Sequence, residues 1–371
     1  MGKHALLSPS SSSRWLSCPP SLQLGQQYED TTSPYAEEGT EAHALGEYKL
    51  KKLLGIKAKD PTSNLQYYNE EMEECAEGYA TYILELFEEA KTICPDPIIL
   101  IEEKLDISKY ADGSFGTGDC IIVSDSTLHV VDYKHGTGIL VDAYDNSQMK
   151  IYGLGGLELF DGIYDIDTVS MTVYQPRRNN ISTFTLSKDE LYKWANETLR
   201  PTAKLALEGK GEFKCGDWCT FCKVKHECRA RADYNLELAK YDFQLPPLLE
   251  DEDIEEILSK IDGLVSWASN IKDYALTAAL QGKAWQGFKL VEGRSNRRYV
   301  NEEEVINVVE TNGYDPYVQK IKGITDMEKT LGKARFSELL SDLVEKPKGK
   351  PTLVPESDKR PAINTAVDDF K

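Results

Sequence analysis

The 371-residue sequence contains no apolar run approaching the about 20 residues that a helix needs to cross a bilayer. It also contains no G-x-x-x-x-G-K-S/T phosphate-binding loop, which argues against a built-in helicase or related nucleotide hydrolase. The first residues, M-G-K-H-A-L-L-S-P-S, lack the apolar segment of a secretory signal. We therefore predict a protein that has no membrane partner and is cytoplasmic.

Positive charge is scarce as well. The 43 Lys and Arg face 62 Asp and Glu, for a net charge of −19. A general nucleic-acid-binding protein usually has a basic surface, so the excess of acidic residues argues against that class of protein. The charge is uneven, however, and basic residues concentrate in four short stretches along which a nucleic acid could bind: 177–178, 200–231, 294–298 and 346–360.

The residues best suited to chemistry lie close together in the chain. Two apolar segments, 120–123 and 128–134, are joined by the polar turn S-D-S-T and predict a strand hairpin. Alternation along the second strand places Asp132 and Lys134 on one face, and pairing of the strands brings Asp119 towards them. Two carboxylates beside an ammonium group provide oxygen ligands for a divalent cation and a group that positions water. A lone Asp-x-Lys pair is more often a solvated ion pair, so the prediction depends on all three residues converging.

Cysteine is the second unusual feature. Of eight cysteines, four crowd into one segment, and clustered cysteines without a secretory signal favour metal binding over disulfides. Two ligand sets fit the spacing. Four local thiolates, with His226 as a further candidate, would hold structural zinc. Alternatively, three thiolates and one distant cysteine would hold a [4Fe–4S] cluster. The clustered cysteines are Cys215, Cys219, Cys222 and Cys228, and we expect Cys75, Cys94 and Cys120 to be buried apolar residues.

Three motifs together resemble the RecB-like branch of the PD-(D/E)XK nuclease superfamily. They are G-T-G-D ending at Asp119, V-V-D-Y-K ending at Lys134, and N-S-Q-M-K-I-Y, which contains Gln148 and Tyr152. The resemblance spans residues 10–232. It implies an α/β fold of the restriction-endonuclease-like type, with a mixed sheet flanked by helices. The implied activity is a DNA exonuclease that depends on Mg²⁺ or Mn²⁺.

The resemblance also implies roles for individual residues. Asp119 and Asp132 would bind the metal and Lys134 would serve the attacking water. His43, in the helical segment 36–47, and the backbone carbonyl of Tyr133 would complete the metal ligands. Gln148 and Tyr152 would contact DNA near the site. Apart from the resemblance, Glu38 and Glu103 are weaker candidates for supporting roles, because both lie in acidic runs. Arg177 follows a predicted strand in a loop, where it either contacts a phosphate of the DNA or is a solvated loop arginine.

Some relatives in this branch, including AddB-type helicase-nucleases and CRISPR-associated adaptation nucleases, close the nuclease domain with a [4Fe–4S] cluster. The resemblance therefore favours iron–sulfur over zinc and places the lone N-terminal ligand at Cys18. The other three implied ligands are Cys219, Cys222 and Cys228. Cys215 is a fifth thiol nearby, and whether it takes part stays open. A cluster that joins residues some two hundred positions apart would close a long loop, and the free energy of metal binding would then contribute to the stability of the fold.

The resemblance implies a nuclease domain over 1–240, while composition and periodicity predict a mainly helical accessory domain over 241–345 and an extended, Pro- and charge-rich tail over 346–371. The predicted helices cover 10–25, 36–54, 69–93, 146–160, 188–208, 253–281, 301–312 and 326–345, and the predicted strands 98–105, 120–123, 128–134, 168–175 and 182–185.

The expected biological setting follows from the resemblance to phage and prophage proteins. It implies recombination or processing of phage DNA in a bacterial host, with a phage single-strand annealing or binding protein as a partner. The alternative is a non-catalytic DNA-binding accessory protein that keeps the nuclease fold.

Overall fold

The computed structural model describes residues 5–29, 33–160, 162–238, 249–291, 300–313, 316–317 and 321–344. The chain divides into two compact units, Met1–Thr277 and Ala278–Lys371. The predicted boundary between residues 240 and 241 and the predicted tail 346–371 both lie outside the described residues, so the three-region organisation stays a prediction.

A five-stranded mixed sheet forms the centre of the first unit, with strand order β1-β2-β3-β4-β5. The first three strands form an antiparallel meander, β4 lies parallel to β3, and β5 returns antiparallel to β4. This confirms the predicted α/β class with a mixed sheet flanked by helices, whereas the narrower restriction-endonuclease-like class stays a prediction. The strands are β1 (Ile98–Asp106), β2 (Phe115–Ser124), β3 (Thr127–Tyr133), β4 (Thr168–Gln175) and β5 (Asn180–Ser187).

Strand β2 begins earlier than expected, because the glycine-rich segment before Asp119 is part of the strand rather than a loop. At Gly116 a Cβ atom would lie 2.7 Å from Cγ of Pro9 and 2.9 Å from the ring of Tyr152. Glycine is therefore required here because the N-terminal segment and a helix both pack closely against the strand.

Helices cover both faces of the sheet. The predicted single helix over 10–25 is wrong, since the chain breaks at Cys18 and two prolines that follow it, which cannot continue a helix. The predicted helix over 188–208 contains an internal π-helical segment, Ala195–Leu199. Among the described residues up to 238, the helices are α1 (Ser12–Ser17), α2 (Ser21–Gly25), α3 (Pro34–Leu53), α4 (Glu70–Ile93), α5 (Ser147–Phe160), α6 (Lys188–Trp194), α7 (Arg200–Leu207) and α8 (Arg229–Leu236).

The alternation of strand side chains produces two hydrophobic cores. Ile121 and Val130 pack on one face with α5, while Ile122 and Val131 pack on the other with α3 and α4. Helix α5 is apolar on nearly all sides and lies close to the sheet, since a Cβ atom at Gly155 would be 2.7 Å from Cβ of Leu105. The sheet is thus buried on both faces, and polar side chains that enter it need partners.

Further along the chain lie α9 (Asp251–Leu280), α10 (Glu302–Thr311), α11 (Ile324–Leu331) and α12 (Lys333–Leu340). Three of these elements, α10 to α12, belong to the second unit. The predicted helix over 326–345 is instead two short helices separated at Gly332, which has a φ of 77°. None of the helices in the described part of the chain combines the length and the apolar character needed to span a membrane.

Candidate functional site

Strands β2 and β3 position two buried carboxylates next to each other. Cys120 pairs with Val131 in the antiparallel ladder, so Asp119 and Asp132 come next along the two strands. They are 7% and 2% exposed, respectively. The backbone N–H of Tyr133 donates to Oδ2 of Asp119 at 2.7 Å, and Nζ of Lys134 lies 2.9 Å from Oδ2 of Asp132. The structure therefore brings together the three residues on which the sequence-based hypothesis depends.

Helix α5 supports this group from the side. Gln148 and Tyr152 are one helical turn apart, and Nε2 of Gln148 donates to both the Tyr152 hydroxyl and Oδ1 of Asp132, each at 3.2 Å. Nζ of Lys134 in turn donates to Oε1 of Gln148 at 3.3 Å. Both helical residues, predicted to contact DNA, thus contact the carboxylate–lysine group, and Gln148 orients Asp132 and Lys134 together.

Helix α3 provides an imidazole on the opposite side of Asp119. Nδ1 of His43 lies 3.3 Å from Oδ1 of Asp119 and 4.0 Å from Oε1 of Glu102. One ligand atom from each of these three residues lies within 4.8 Å of the others, a spacing that suits a single metal ion. His43 is therefore beside Asp119, where the sequence resemblance implied a ligand.

Glu102 is the functional candidate that sequence reasoning missed. The sequence-based hypothesis includes its neighbour Glu103, a weaker candidate in an acidic run, and not Glu102. Glu102 has a φ of 52°, a conformation that residues with a Cβ atom adopt rarely, and it directs its carboxylate to His43 and Asp119. Strand alternation cannot anticipate such a residue. The available signal was the pair of adjacent glutamates on the strand predicted over 98–105.

The charges in this group strongly perturb one another. Burial and the nearby charge of Asp119 raise the pKa of Glu102 to about 7. Burial alone would lower the pKa of His43, but the charge and hydrogen bond of Asp119 outweigh it and raise the pKa to about 9. Burial likewise raises the pKa of Asp132, more than the charge of Lys134 lowers it. Oδ2 of Asp132 is buried and accepts no hydrogen bond of good geometry, although Nζ of Lys134 lies 2.9 Å away. Crowded carboxylates and an unsatisfied oxygen are the features that a cation would stabilise.

Tyr133 contributes its backbone to this site, whereas its side chain packs on the other face of the sheet. The ring stacks on Tyr79 with centroids 4.9 Å apart and is 1% exposed. Its hydroxyl lies 3.0 Å from Nδ1 of His135. The side chain is therefore part of the core beneath the site, and the role of the backbone carbonyl as a metal ligand stays a prediction.

Arg177 lies in an environment that the sequence did not indicate. Its guanidinium contacts Glu38 at 2.9 Å and Glu71 at 3.1 Å, and its side chain is 17% exposed. Glu38 also lies 3.8 Å from Nε2 of His135. Arg177 and Glu38 therefore tie the loop after β4 to α3 and α4, and a contact of Arg177 with DNA stays a prediction.

A second feature of the first unit is a cavity lined by five thiols. They come from the N-terminal segment and from residues some two hundred positions later, and the same cavity is lined by four basic side chains. Among the lining residues none is acidic. These residues are Cys18, Cys215, Cys219, Cys222 and Cys228, with Arg14, Lys214, Lys225 and Arg231.

The thiols share the cavity without forming a compact group. Sγ of Cys219 lies 3.9 Å from Sγ of Cys215, and burial together with this neighbour raises the pKa of Cys215 to about 12. In the described part of the chain, the three side chains whose ligand atoms lie within 4.8 Å of one another are His43, Glu102 and Asp119. No three thiols of the cavity come that close to one another. Cys75, Cys94 and Cys120 are buried elsewhere, as predicted. His226 stacks on Tyr274 with centroids 4.2 Å apart.

The N-terminal segment is held against the cysteine segment by polar contacts. The hydroxyl of Tyr28 donates to Glu227, and Nζ of Lys223 donates to the backbone carbonyl of Tyr28 at 3.3 Å. Within the N-terminal segment, Arg14 donates to the backbone carbonyl of Ser21 at 3.1 Å. The two contacts of Tyr28 hold the segment that contains Cys18 beside the later cysteines.

Comparison with known proteins identifies one family. A family model described as "Protein of unknown function (DUF2800)" matches residues 4–361. A solved structure described as "Crystal structure of SSO0001" is 16% identical, and the match covers 52% of this chain and 98% of that chain. Its TM-score of 0.25 is low, so this likeness does not establish a common fold.

Proposed function

The chain belongs to this family of unknown function, DUF2800, and we propose that it is a divalent-metal-dependent phosphodiester hydrolase that acts as a DNA exonuclease. The observation that carries the proposal is the grouping of ligand atoms from His43, Glu102 and Asp119 within 4.8 Å of one another. Asp132 lies beside Asp119 on the neighbouring strand, with Nζ of Lys134 2.9 Å from its carboxylate. A cation held by oxygen and nitrogen ligands, together with a group that positions the attacking water, is one established way to hydrolyse a phosphodiester.

Each residue has a defined task in this proposal. His43, Glu102, Asp119 and Asp132 would hold Mg²⁺ or Mn²⁺, ions that prefer carboxylate oxygens. When bound, the cation supplies Lewis-acid stabilisation of the phosphoryl oxygens and makes its water more acidic. Lys134, held by Asp132 and Gln148, donates to the attacking water or to a phosphate oxygen. We propose that the substrate is phage DNA during recombination or processing.

For the cysteine cavity we propose a structural [4Fe–4S] cluster rather than zinc. A tetrahedral zinc site with Zn–S distances of about 2.3 Å brings its sulfur atoms to within about 4 Å of one another. No three thiols in this cavity, all of them among the described residues, are that close. A thiolate-bound cluster carries negative charge, and the four basic side chains lining the cavity would balance it. Cys18, Cys219, Cys222 and Cys228 would be the ligands.

The deciding experiment compares wild type with Asp132→Asn on end-labelled linear DNA and on closed circular DNA, with Mg²⁺, with Mn²⁺ and with EDTA. Wild type should degrade the linear substrate only with metal, and Asp132→Asn should be inactive because the substitution removes one ligand charge. Asp125→Asn is the matched control, since Asp125 is exposed in the turn between β2 and β3 and should leave the rate unchanged.

The possible results separate the hypotheses. Cleavage by Asp132→Asn at the wild-type rate, under the same metal, would show that the site is assigned wrongly. Metal-independent DNA binding by wild type without degradation would favour the non-catalytic accessory protein. Circular DNA that is cut as fast as linear DNA would show an endonuclease rather than an exonuclease.

A further inference from the structure

The cysteine segment exposes aromatic side chains on its outer surface. Phe221 is 73% exposed and Phe213 is 47% exposed, so both rings are accessible to a ligand. Trp218 lies between them in the sequence, and Nζ of Lys214 is 5.9 Å from the centroid of its ring. Phe213 and Trp218 also line the cysteine cavity, whereas Phe221 does not. Packing around a bound cluster therefore does not explain why the ring of Phe221 lies where it does.

The same segment is basic in an acidic chain. Residues 210–231 contain six Lys or Arg and three Asp or Glu, while the whole chain has a net charge of −19. Lys210, Lys214 and Arg229 are exposed. Nζ of Lys225 donates to the backbone carbonyl of Thr220, the residue before Phe221, at 2.8 Å. A lysine ammonium group thus lies next to the backbone of the residue that precedes the exposed ring.

We propose that Phe213 and Phe221, with Lys210, Lys214 and Lys225, form a binding surface for single-stranded nucleic acid, which we call the aromatic–basic surface. The exposed ring faces would stack on unpaired bases, and the lysines would contact the phosphates that follow them. The bases of a duplex are already stacked, so such rings favour a single strand. The nucleic-acid class rests on the proposed function, but the surface itself is independent of the metal site.

Two other partners are less compatible with these observations. Phe213 lies between Glu212 and Lys214 in the sequence and Phe221 follows Thr220, so the segment has no run of exposed apolar residues of the kind that a protein partner would usually cover. An anionic membrane surface also attracts lysines and aromatic rings, but that mode uses the continuous apolar face of an amphipathic helix. Residues 217–221 are a short 3₁₀ turn rather than such a helix.

The test is the fluorescence anisotropy of labelled oligothymidylate of about 15 nucleotides, measured on the full-length protein in EDTA so that cleavage does not interfere. Phe221→Ala should weaken binding about tenfold, the size of one lost base–aromatic stack. Phe221→Leu should weaken it equally, because leucine keeps apolar area but has no ring face, whereas Phe221→Trp should bind at least as tightly as wild type. Lys210→Gln, at an exposed lysine that does not line the cysteine cavity, should reduce the salt slope of log K by about 0.7.

Controls separate stacking from general damage. Ile163→Ala removes a side chain that is 74% exposed beside Asp165 and Asp167, and it should leave affinity unchanged. The visible absorbance and far-ultraviolet circular dichroism of the Phe221 variants should match wild type. A parallel arm with oligouridylate distinguishes DNA from RNA, and either one bound through Phe221 supports the surface.

Four results would overturn the proposal: wild-type affinity of Phe221→Ala, wild-type affinity of Phe221→Leu, tighter binding of duplex than of single strand, or Phe221-dependent binding only to phosphatidylserine–phosphatidylcholine vesicles. Failure here is distinguishable from failure of the proposed function. DNA cleavage with unchanged affinity in the Phe221 variants refutes the surface alone. Phe221-dependent binding without any cleavage supports the surface and refutes the hydrolase.

Discussion

Substitution of Glu102 by glutamine should stabilise the metal-free protein while weakening its response to metal. The pKa of Glu102 rises from 4.5 to about 7 in the folded protein because the carboxyl group is buried near Asp119. At about 1.4 kcal/mol for each pH unit, the ionised group costs about 3 kcal/mol of folding free energy. Glutamine has nearly the same shape and no charge, so Glu102→Gln removes this cost.

The effect has a defined pH dependence. The folded protein holds a proton on Glu102 more tightly than the unfolded chain does, so stability falls as pH rises from 4.5 to about 7. In EDTA, Glu102→Gln should therefore be more stable than wild type by up to about 3 kcal/mol near pH 8 and nearly equal to it near pH 4.5. Urea unfolding at several pH values, followed by circular dichroism, measures this difference.

Added Mn²⁺ should reverse the order. A ligand that binds only the folded state stabilises it, and wild type has one more carboxylate to offer. Glu103→Gln is the matched control, since the adjacent residue lies outside the metal-spaced group and should behave like wild type. If Glu102→Gln is no more stable than wild type near pH 8 in EDTA, the carboxylates are not crowded and the argument for a cation at this position fails.

Three further predictions concern packing, the cysteine cavity and the loop after β4. Gly155→Ala should lower the free energy of unfolding by about 1–3 kcal/mol, because its Cβ would lie 2.7 Å from Cβ of Leu105; an unchanged urea midpoint would contradict this. Cys228→Ser should lose iron and sulfide, whereas the control Cys94→Ser, at a cysteine buried outside the cavity, should keep both. Iron and sulfide are measured after anaerobic purification, and a full cluster in Cys228→Ser would exclude Cys228 as a ligand. Arg177→Gln should destabilise the fold by about 2 kcal/mol, since it leaves two glutamates without their cation, and a wild-type melting temperature would refute this.

Much of the secondary structure follows from local pattern. Strand β4 has the predicted bounds, and the long helix predicted over 253–281 occurs as Asp251–Leu280. Both have strong periodicity and clear ends. The errors lie where close packing overrides local pattern: the helix over 10–25 is broken by prolines, and the glycine-rich segment at Gly116 is strand because neighbouring elements pack on it.

The sequence by itself determined which residues carry chemistry and how the nearest of them are arranged. A period of two places Asp132 and Lys134 on one face of β3, and a period near four places Gln148 above Tyr152, because both relations depend only on local backbone geometry. Only the tertiary structure brings in His43 from α3 and Glu102 from β1, since their distances to Asp119 depend on how helix and strands pack. The positive φ of Glu102 exists because the packed strand holds it, and no local pattern predicts it.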